Sequence, residues 1–219
     1  MTKHLERSIE SILKKIPVVT KQQLIAYLKI QMSCKEKVIL EALTECAHSG
    51  VVLIAFNELI TTREAYDVVR TADLPYKFGV IQRLRGNLSV TAETQDFIDC
   101  FWIILNLLPA SSDFILTSYT PFRMLYLDRE NNRLVQIARF RRGFELTDIN
   151  FLRALPTPAR EDRAHIRRIA LLDDEQATEL LGGFGFTDFC LLDDHQPGHI
   201  SVIKKVGLNE AWEGGQFYG

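Results

Sequence analysis

The chain of 219 residues is long enough for one large domain or two small ones. Its hydrophobic content of 47% and charged content of 25% are those of an ordinary globular protein and exclude a chain that is disordered throughout. The net charge of −2 hides an asymmetry: residues 1–90 carry 13 Lys and Arg against 9 Asp and Glu, whereas residues 91–219 carry 13 against 19. A mildly basic first part joined to an acidic second part is compatible with a polyanionic partner for the first part alone.

The four cysteines are widely spaced and none belongs to a C-x-x-C pair. This spacing favours reduced thiols in a cytoplasmic protein over a disulfide framework. The first six residues have no apolar segment of the kind that marks a secretory signal. The most apolar segment, 101–108, is far shorter than the about 20 residues that a membrane helix needs, so we expect a buried core helix there and no membrane partner.

Capping-box patterns mark three predicted helix starts in the first 65 residues, and they begin at Thr20, Ser33 and Thr61. In each pattern a hydroxyl can accept from the backbone N–H three residues on, while a Glu or Gln side chain reaches back to the cap N–H. Apolar spacing and these boxes predict the following elements in chain order: helices over 4–15, 21–30 and 34–48, a small hairpin formed by 51–56 and 59–60, and a helix over 63–70.

Three helices, a hairpin and a further helix form the order of a winged helix, whose third helix usually enters the major groove of DNA. The sequence therefore predicts a winged-helix DNA-binding domain over 1–72. A linker follows over 73–90, where Asp, Pro, Gly and Asn residues punctuate the chain.

The second part reads as an α/β domain over 91–206 with a sheet of about five strands, followed by a flexible tail over 207–219, so that the whole chain belongs to the α+β class. A degenerate restriction-endonuclease-like arrangement fits the same order. The predicted elements are helices over 92–108, 148–155 and 173–181, the last opened by an Asp173–Gln176 capping box, and strands over 114–116, 122–127, 134–140, 166–172, 186–192 and 200–206.

Four segments carry a resemblance to a known family: FWIIL at 101–105, the hairpin over 122–140, RIAL at 168–171 and FTDFCLL at 186–192. In these and in element order the chain resembles an uncharacterised family of Firmicutes winged-helix proteins found on plasmids and conjugative elements. That family is distantly similar to replication-relaxation proteins. The resemblance implies a DNA-associated role in mobile-element transfer or replication, with a relaxase or replication protein as partner. It supplies no catalytic residue, because its motifs are core-packing motifs.

In a winged helix the start of the third helix meets base edges, while the second helix and the wing meet phosphates. Lysine and arginine supply the counterion-release term that dominates affinity. The candidate DNA-binding residues are Ser33, Lys35, Lys37, Lys21, Gln22, Gln23, Lys14, Lys15 and Arg63. Acidic residues on the third helix, which include Glu41 and Glu45, would repel phosphate if they faced it.

A divalent-metal nuclease is the enzymatic alternative. Asp128 could be a first metal ligand, but the next strand offers Gln136 where a second acid is needed, and it has no lysine. His195 and His199 have an H-x-x-x-H spacing, which in this loop favours an exposed polar turn over a zinc site.

We therefore expect a non-catalytic, cytoplasmic, double-stranded DNA-binding accessory or regulator of a mobile element, without cofactor or metal. Its acidic second domain would dimerise or recruit a partner. The second alternative is a protein-interaction adaptor that uses the winged helix without binding DNA.

Overall fold

The computed structural model describes residues 2–57, 66–71, 80–82, 88–108, 113–117, 121–143, 146–192, 198–207 and 210–213. The chain forms two compact units, Met1–Ala110 and Ser111–Gly219. The boundary therefore follows the helix that begins at Ala92, whereas the sequence assigned that helix to the second domain. A buried hydrogen bond explains the difference, because the side-chain Nε2 of Gln23 donates to the backbone carbonyl of Ile98 at 2.6 Å.

The N-terminal unit combines helices with a mainly antiparallel sheet. Its central part has the strand order β1-β3-β2, and the β5-β4 pair joins β2 through one residue pair, Asn57 with Leu88. The elements are α1 (Thr2–Lys15), β1 (Val18–Thr20), α2 (Lys21–Met32), α3 (Glu36–His48), β2 (Val52–Asn57), β3 (Tyr66–Thr71), β4 (Val80–Gln82), β5 (Leu88–Val90) and α4 (Ala92–Leu107).

The predicted apolar stripes of α1 and α3 are confirmed as core. Each buried Leu or Ile side chain stabilises the fold by roughly 1.5–3 kcal/mol relative to an exposed one. The fully or almost fully buried residues are Leu5, Ile9, Ile12 and Leu13 on α1, and Ile39, Ala42, Leu43 and Cys46 on α3.

Of the three predicted capping boxes, the first is confirmed. The Thr20 hydroxyl accepts from the backbone N–H of Gln23 at 3.0 Å, and the Gln23 side chain accepts from the backbone N–H of Thr20 at 3.0 Å. The second is wrong: Ser33 closes α2 with a left-handed φ of 50°, and α3 begins at Glu36 after an N-cap, Lys35, that makes no side-chain hydrogen bond. The third begins at Thr61, outside the described residues.

The predicted helix over 63–70 is wrong for its described part, because residues 66–70 belong to β3. This segment pairs with β1 on one side and β2 on the other, and pairing on both sides overrides a local helical pattern. The short strand β1 was not predicted, and β4 with β5 occupies part of the predicted linker.

The C-terminal unit is built on a six-stranded mixed sheet of order β11-β10-β9-β8-β7-β6. β6, β7 and β8 are antiparallel neighbours, β8, β9 and β10 are parallel, and β11 is antiparallel to β10. The elements are β6 (Phe114–Leu116), β7 (Phe122–Asp128), β8 (Arg133–Phe140), α5 (Leu146–Ala154), α6 (Arg160–Arg163), β9 (Ile166–Leu172), α7 (Ala177–Leu180), β10 (Phe186–Leu192), β11 (Ile200–Lys205) and α8 (Glu210–Glu213).

The α+β class and the predicted strands of this unit are confirmed, with six strands in place of about five. Parallel neighbours require a crossover connection, and α5, α6 and α7 lie in those connections. One face of the sheet carries an aromatic core in which the rings of Phe140 and Phe186 meet edge to face at 5.6 Å.

Two local predictions for this unit are wrong. The Asp173–Gln176 box does not form: Gln176 precedes α7 without a side-chain cap, and Asp174 accepts from the backbone N–H of Gln176. The predicted flexible tail contains α8, in which Ala211 and Trp212 are buried. Among the described helices of the chain, none has the length and apolar character needed to cross a membrane.

Candidate nucleic-acid interface

The turn between α2 and α3 brings the first predicted site residues to the surface. Three residues, Ser33, Cys34 and Lys35, separate the helices. The backbone N–H of Ser33 donates to the carbonyl of Lys29 at 3.0 Å, which closes α2 and lets the chain reverse. Ser33, Lys35 and Lys37 are all exposed, as the sequence predicted.

The first turn of α3 has the electrostatics of an anion site. Because Lys35 offers no side-chain cap, the backbone N–H groups of Glu36 and Lys37 have no acceptor within the described residues. Free N–H groups and the positive end of the helix dipole attract a phosphate. Glu36 opposes this attraction, but its carboxylate pairs with the Lys29 ammonium at 3.5 Å.

The first three residues of α2 differ in their exposure to solvent. Gln22 is exposed and Lys21 is half-buried. Gln23 has no exposed surface and both ends of its amide are hydrogen-bonded inside the protein. Gln23 is therefore not a DNA-binding residue in this structure, and its assignment to the interface is wrong. The reason is that the capping box and the α4 contact use the whole side chain.

Helix α1 contributes a basic stripe that sequence reasoning identified only at its end. Lys14 and Lys15 are exposed as predicted, and Lys3 and Arg7 are exposed as well. Residues 3, 7 and 14 recur at helical spacing and share one face. That spacing was the signal from which the whole stripe could have been found. Arg63 lies outside the described residues.

Glu10 lies within this stripe, because it is three residues after Arg7 and four before Lys14 on the same helix. Glu6 and Glu10 are only partly exposed. Burial, and then the charges of Glu6, Glu10 and Glu45, raise the pKa of the buried Cys46 thiol on α3. These carboxylates therefore lie close enough to α3 to act on Cys46, and Glu10 offsets part of the positive charge of the stripe.

The middle of α3 presents a different surface. Glu41, Thr44, Glu45 and His48 are exposed along it. Two carboxylates close to a phosphate backbone would be repelled. The basic surface is therefore confined to the first turn of α3 and to α1, and it does not extend along the whole of α3.

The residues considered for metal chemistry serve the fold of the C-terminal unit. Asp128 accepts from the backbone N–H and the side-chain amide of Asn131 at 3.1 and 2.8 Å, and so closes the turn between β7 and β8. The side-chain hydrogen bond from Asn131 holds the pKa of the Asp128 carboxyl below its ordinary value. Gln136 accepts from Arg168.

Within the described part of the chain, no three His, Cys, Asp or Glu side chains come together as a metal site. His199 is exposed, and His195 lies outside the described residues. Comparison of the chain with protein-family models, with curated proteins and with solved structures found no match.

Proposed function

We propose that the N-terminal unit is a winged helix through which the protein binds double-stranded DNA without catalysis. The element order α1-β1-α2-α3-β2-β3 and the strand order β1-β3-β2 support this assignment. In such a domain the helix after the turn is the one offered to DNA, and here that helix is α3.

The observation that carries the proposal is the exposed pair Lys35 and Lys37 on the first turn of α3, where backbone N–H groups also point outward. The same turn can approach a base edge or a phosphate. Lys3, Arg7 and Lys14 on α1 are further exposed cations that would add to the attraction of phosphate. Contacts to phosphate fix the position of a protein on the duplex, whereas contacts to base edges specify sequence.

The biological setting of the proposal is a cytoplasmic accessory or regulator of a mobile element, acting in transfer, replication or transcription control. The sequence resemblance to plasmid and conjugative-element proteins supports this setting. The C-terminal unit would form a homodimer or recruit a relaxase or replication protein.

Fluorescence anisotropy with a labelled duplex across a salt series tests DNA binding. If five basic side chains each neutralise one phosphate, the slope of log K against log salt is about −4 to −5, since each phosphate contributes about −0.9. Replacing Lys35 and Lys37 by Glu should weaken binding at least tenfold and leave the thermal midpoint unchanged.

The matched control replaces two exposed basic residues of the C-terminal unit, Arg142 and Lys204, by Glu. It makes the same change in net charge, so it should retain most of the affinity. If the Lys35/Lys37 variant binds as tightly as wild type, the assigned surface is wrong. If wild type binds no duplex even at low salt, DNA binding itself is refuted.

A second candidate function is a protein-interaction adaptor. The carboxylates of Glu41 and Glu45 on the outward face of α3 favour it, and so do the exposed apolar side chains of Leu53 and Ile54 on β2. An adaptor would lack salt-dependent DNA affinity, and Leu53→Ser with Ile54→Ser would abolish capture of its protein partner.

A further inference from the structure

Two arginines of the C-terminal unit gather around the side chain of Trp212 on α8. The guanidinium carbon of Arg168 lies 4.6 Å from the centre of the Trp212 ring, and that of Arg163 lies 5.7 Å away. Neither guanidinium is paired with a carboxylate within the described residues. Two cations thus share one aromatic ring in a region where no acidic partner is described.

Arg168 is buried, with 6% of its surface exposed. Its Nε donates to the side-chain oxygen of Gln136 at 2.8 Å, its Nη1 donates to the carbonyl of Phe184, and its Nη2 has no acceptor among the described residues. Burial lowers the pKa of Arg168 to about 10, so the group remains charged at neutral pH. Buried charges in proteins are ordinarily paired, whereas the hydrogen-bond partners of this one are neutral.

The indole N–H of Trp212 is a second unexplained group at the same place. Trp212 is 9% exposed, and its Nε1 has no hydrogen-bond partner in the described structure. A buried donor without a partner is rare in folded proteins and calls for a specific explanation, such as an ion that binds there.

Gly185 holds the ring in position. Its backbone N–H donates to the carbonyl of Ala211 at 2.8 Å, and a Cβ atom at position 185 would lie 2.4 Å from ring atoms of Trp212. The φ of Gly185 is +78°, a conformation that residues with a side chain rarely adopt. The indole therefore lies directly on backbone, and its N–H is fixed in one direction.

We propose that Arg168, Arg163 and the indole N–H of Trp212 form a binding site for a phosphomonoester or inorganic phosphate. The unused donors are the Nη2 of Arg168, the Nη atoms of Arg163, whose Nε donates to the carbonyl of Pro158, and the Nε1 of Trp212. Guanidinium groups match the oxygen spacing of phosphate and carry fixed positive charge. A dianion at this position neutralises both arginines. The site is built from residues of the C-terminal unit, whereas α1 and α3 belong to the N-terminal unit.

Titration of the full chain with inorganic phosphate tests the site, with the emission of Trp212 as the signal. The Trp102→Phe background makes Trp212 the sole tryptophan. We expect a saturable change in emission that chloride at equal ionic strength does not produce. Arg168→Gln and Arg163→Gln should each weaken phosphate binding at least tenfold. Arg160→Gln, an exposed position on the same short helix, should leave it unchanged.

A second measurement keeps the proposal falsifiable if Arg168→Gln does not fold. Trp212→Phe keeps an aromatic ring but removes the N–H donor together with part of the ring surface, so phosphate should raise its thermal midpoint less than it raises that of wild type. The absence of any saturable response to phosphate in wild type overturns the proposal. So does a response that survives in Arg163→Gln at full strength.

The source of the phosphate is resolved with short oligonucleotides, in the Lys35→Glu/Lys37→Glu background so that the N-terminal surface does not contribute. Tighter binding of a 5′-phosphorylated strand than of inorganic phosphate assigns the site to a nucleic-acid end, and equal or weaker binding assigns it to a small phosphate compound. Phosphate binding that persists in this background separates this site from the proposed DNA interface.

Discussion

The neighbours Gln22 and Gln23 differ in role: Gln23 helps to build the N-terminal unit, whereas Gln22 is free to contact DNA. Gln23 is fully buried, and its side chain joins two parts of the chain that lie 75 positions apart. We therefore predict that Gln23→Ala destabilises the protein, whereas Gln22→Ala, at the exposed neighbouring position, does not.

The magnitude follows from the two hydrogen bonds. Loss of the side-chain oxygen leaves the buried N–H of Thr20 unpaired, which costs about 1–3 kcal/mol. Loss of the donated bond to Ile98 costs about 1 kcal/mol more, since that carbonyl, inside α4, also accepts a helical hydrogen bond. The sum of about 2–4 kcal/mol is a large part of the stability of about 5–15 kcal/mol that is typical of a domain.

Urea denaturation monitored by circular dichroism measures the difference in unfolding free energy between each variant and wild type, and thermal denaturation measures the shift in midpoint. At a typical sensitivity of roughly 4 °C per kcal/mol for a unit of this size, the thermal midpoint should fall by about 10 °C in Gln23→Ala. Gln22→Ala should remain within about 0.5 kcal/mol of wild type. Equal stability of the two variants would refute the argument that Gln23 ties α2 to α4.

Three further predictions concern the C-terminal unit and the thiols. Asp188→Asn should cost about 2–4 kcal/mol in urea unfolding, because Asp188 is 4% exposed and makes a two-pronged contact with Arg167 at 2.8 and 2.9 Å. Burial alone would raise the pKa of the Asp188 carboxyl, but hydrogen bonds from Arg167 and Thr187 outweigh it and hold that pKa low. The pair should therefore stabilise the fold above about pH 4 and lose this contribution as acid titrates the folded carboxyl, a component that Asp188→Asn should lack in a pH series. Finally, a thiol reagent should label Cys34, which is partly exposed, and should spare Cys190, because burial raises the pKa of its thiol to about 12. Rapid labelling of two or more thiols in the native state would contradict the burial of the other cysteines.

Secondary structure could be predicted from the sequence where a segment's own pattern decides its conformation. α4 begins at Ala92 as predicted, and the C-terminal strands follow their apolar runs. The segment 66–70 could not be predicted in this way, because its two strand neighbours, β1 and β2, are supplied by other parts of the chain. The Ser33 box fails for a related reason: the short turn needs a left-handed residue, and Ser33 takes that role.

The candidate interface was predictable only in part for a similar reason. The exposure of Lys37 follows from helix phase, and that of Lys35 from its place in the short turn before α3. That Gln23 is internal depends on the carbonyl of Ile98, which sequence spacing does not bring near. The boundary between the units depends on the same contact.

Net charge is a poor guide to which cations of this chain can bind a partner, because many charges are already satisfied within the fold. In the C-terminal unit Arg139 pairs with Asp173, Arg167 with Asp188, and Arg129 with Asp113. Several other arginines of this unit, such as Arg142 and Arg160, have no described carboxylate partner but are exposed to solvent. Arg168 differs from them because it is buried, in a half of the chain whose overall charge is negative. In the two sites proposed above, the cations are exposed on helices in the first unit and partly enclosed around an indole in the second. Mutation of one site at a time would separate their contributions.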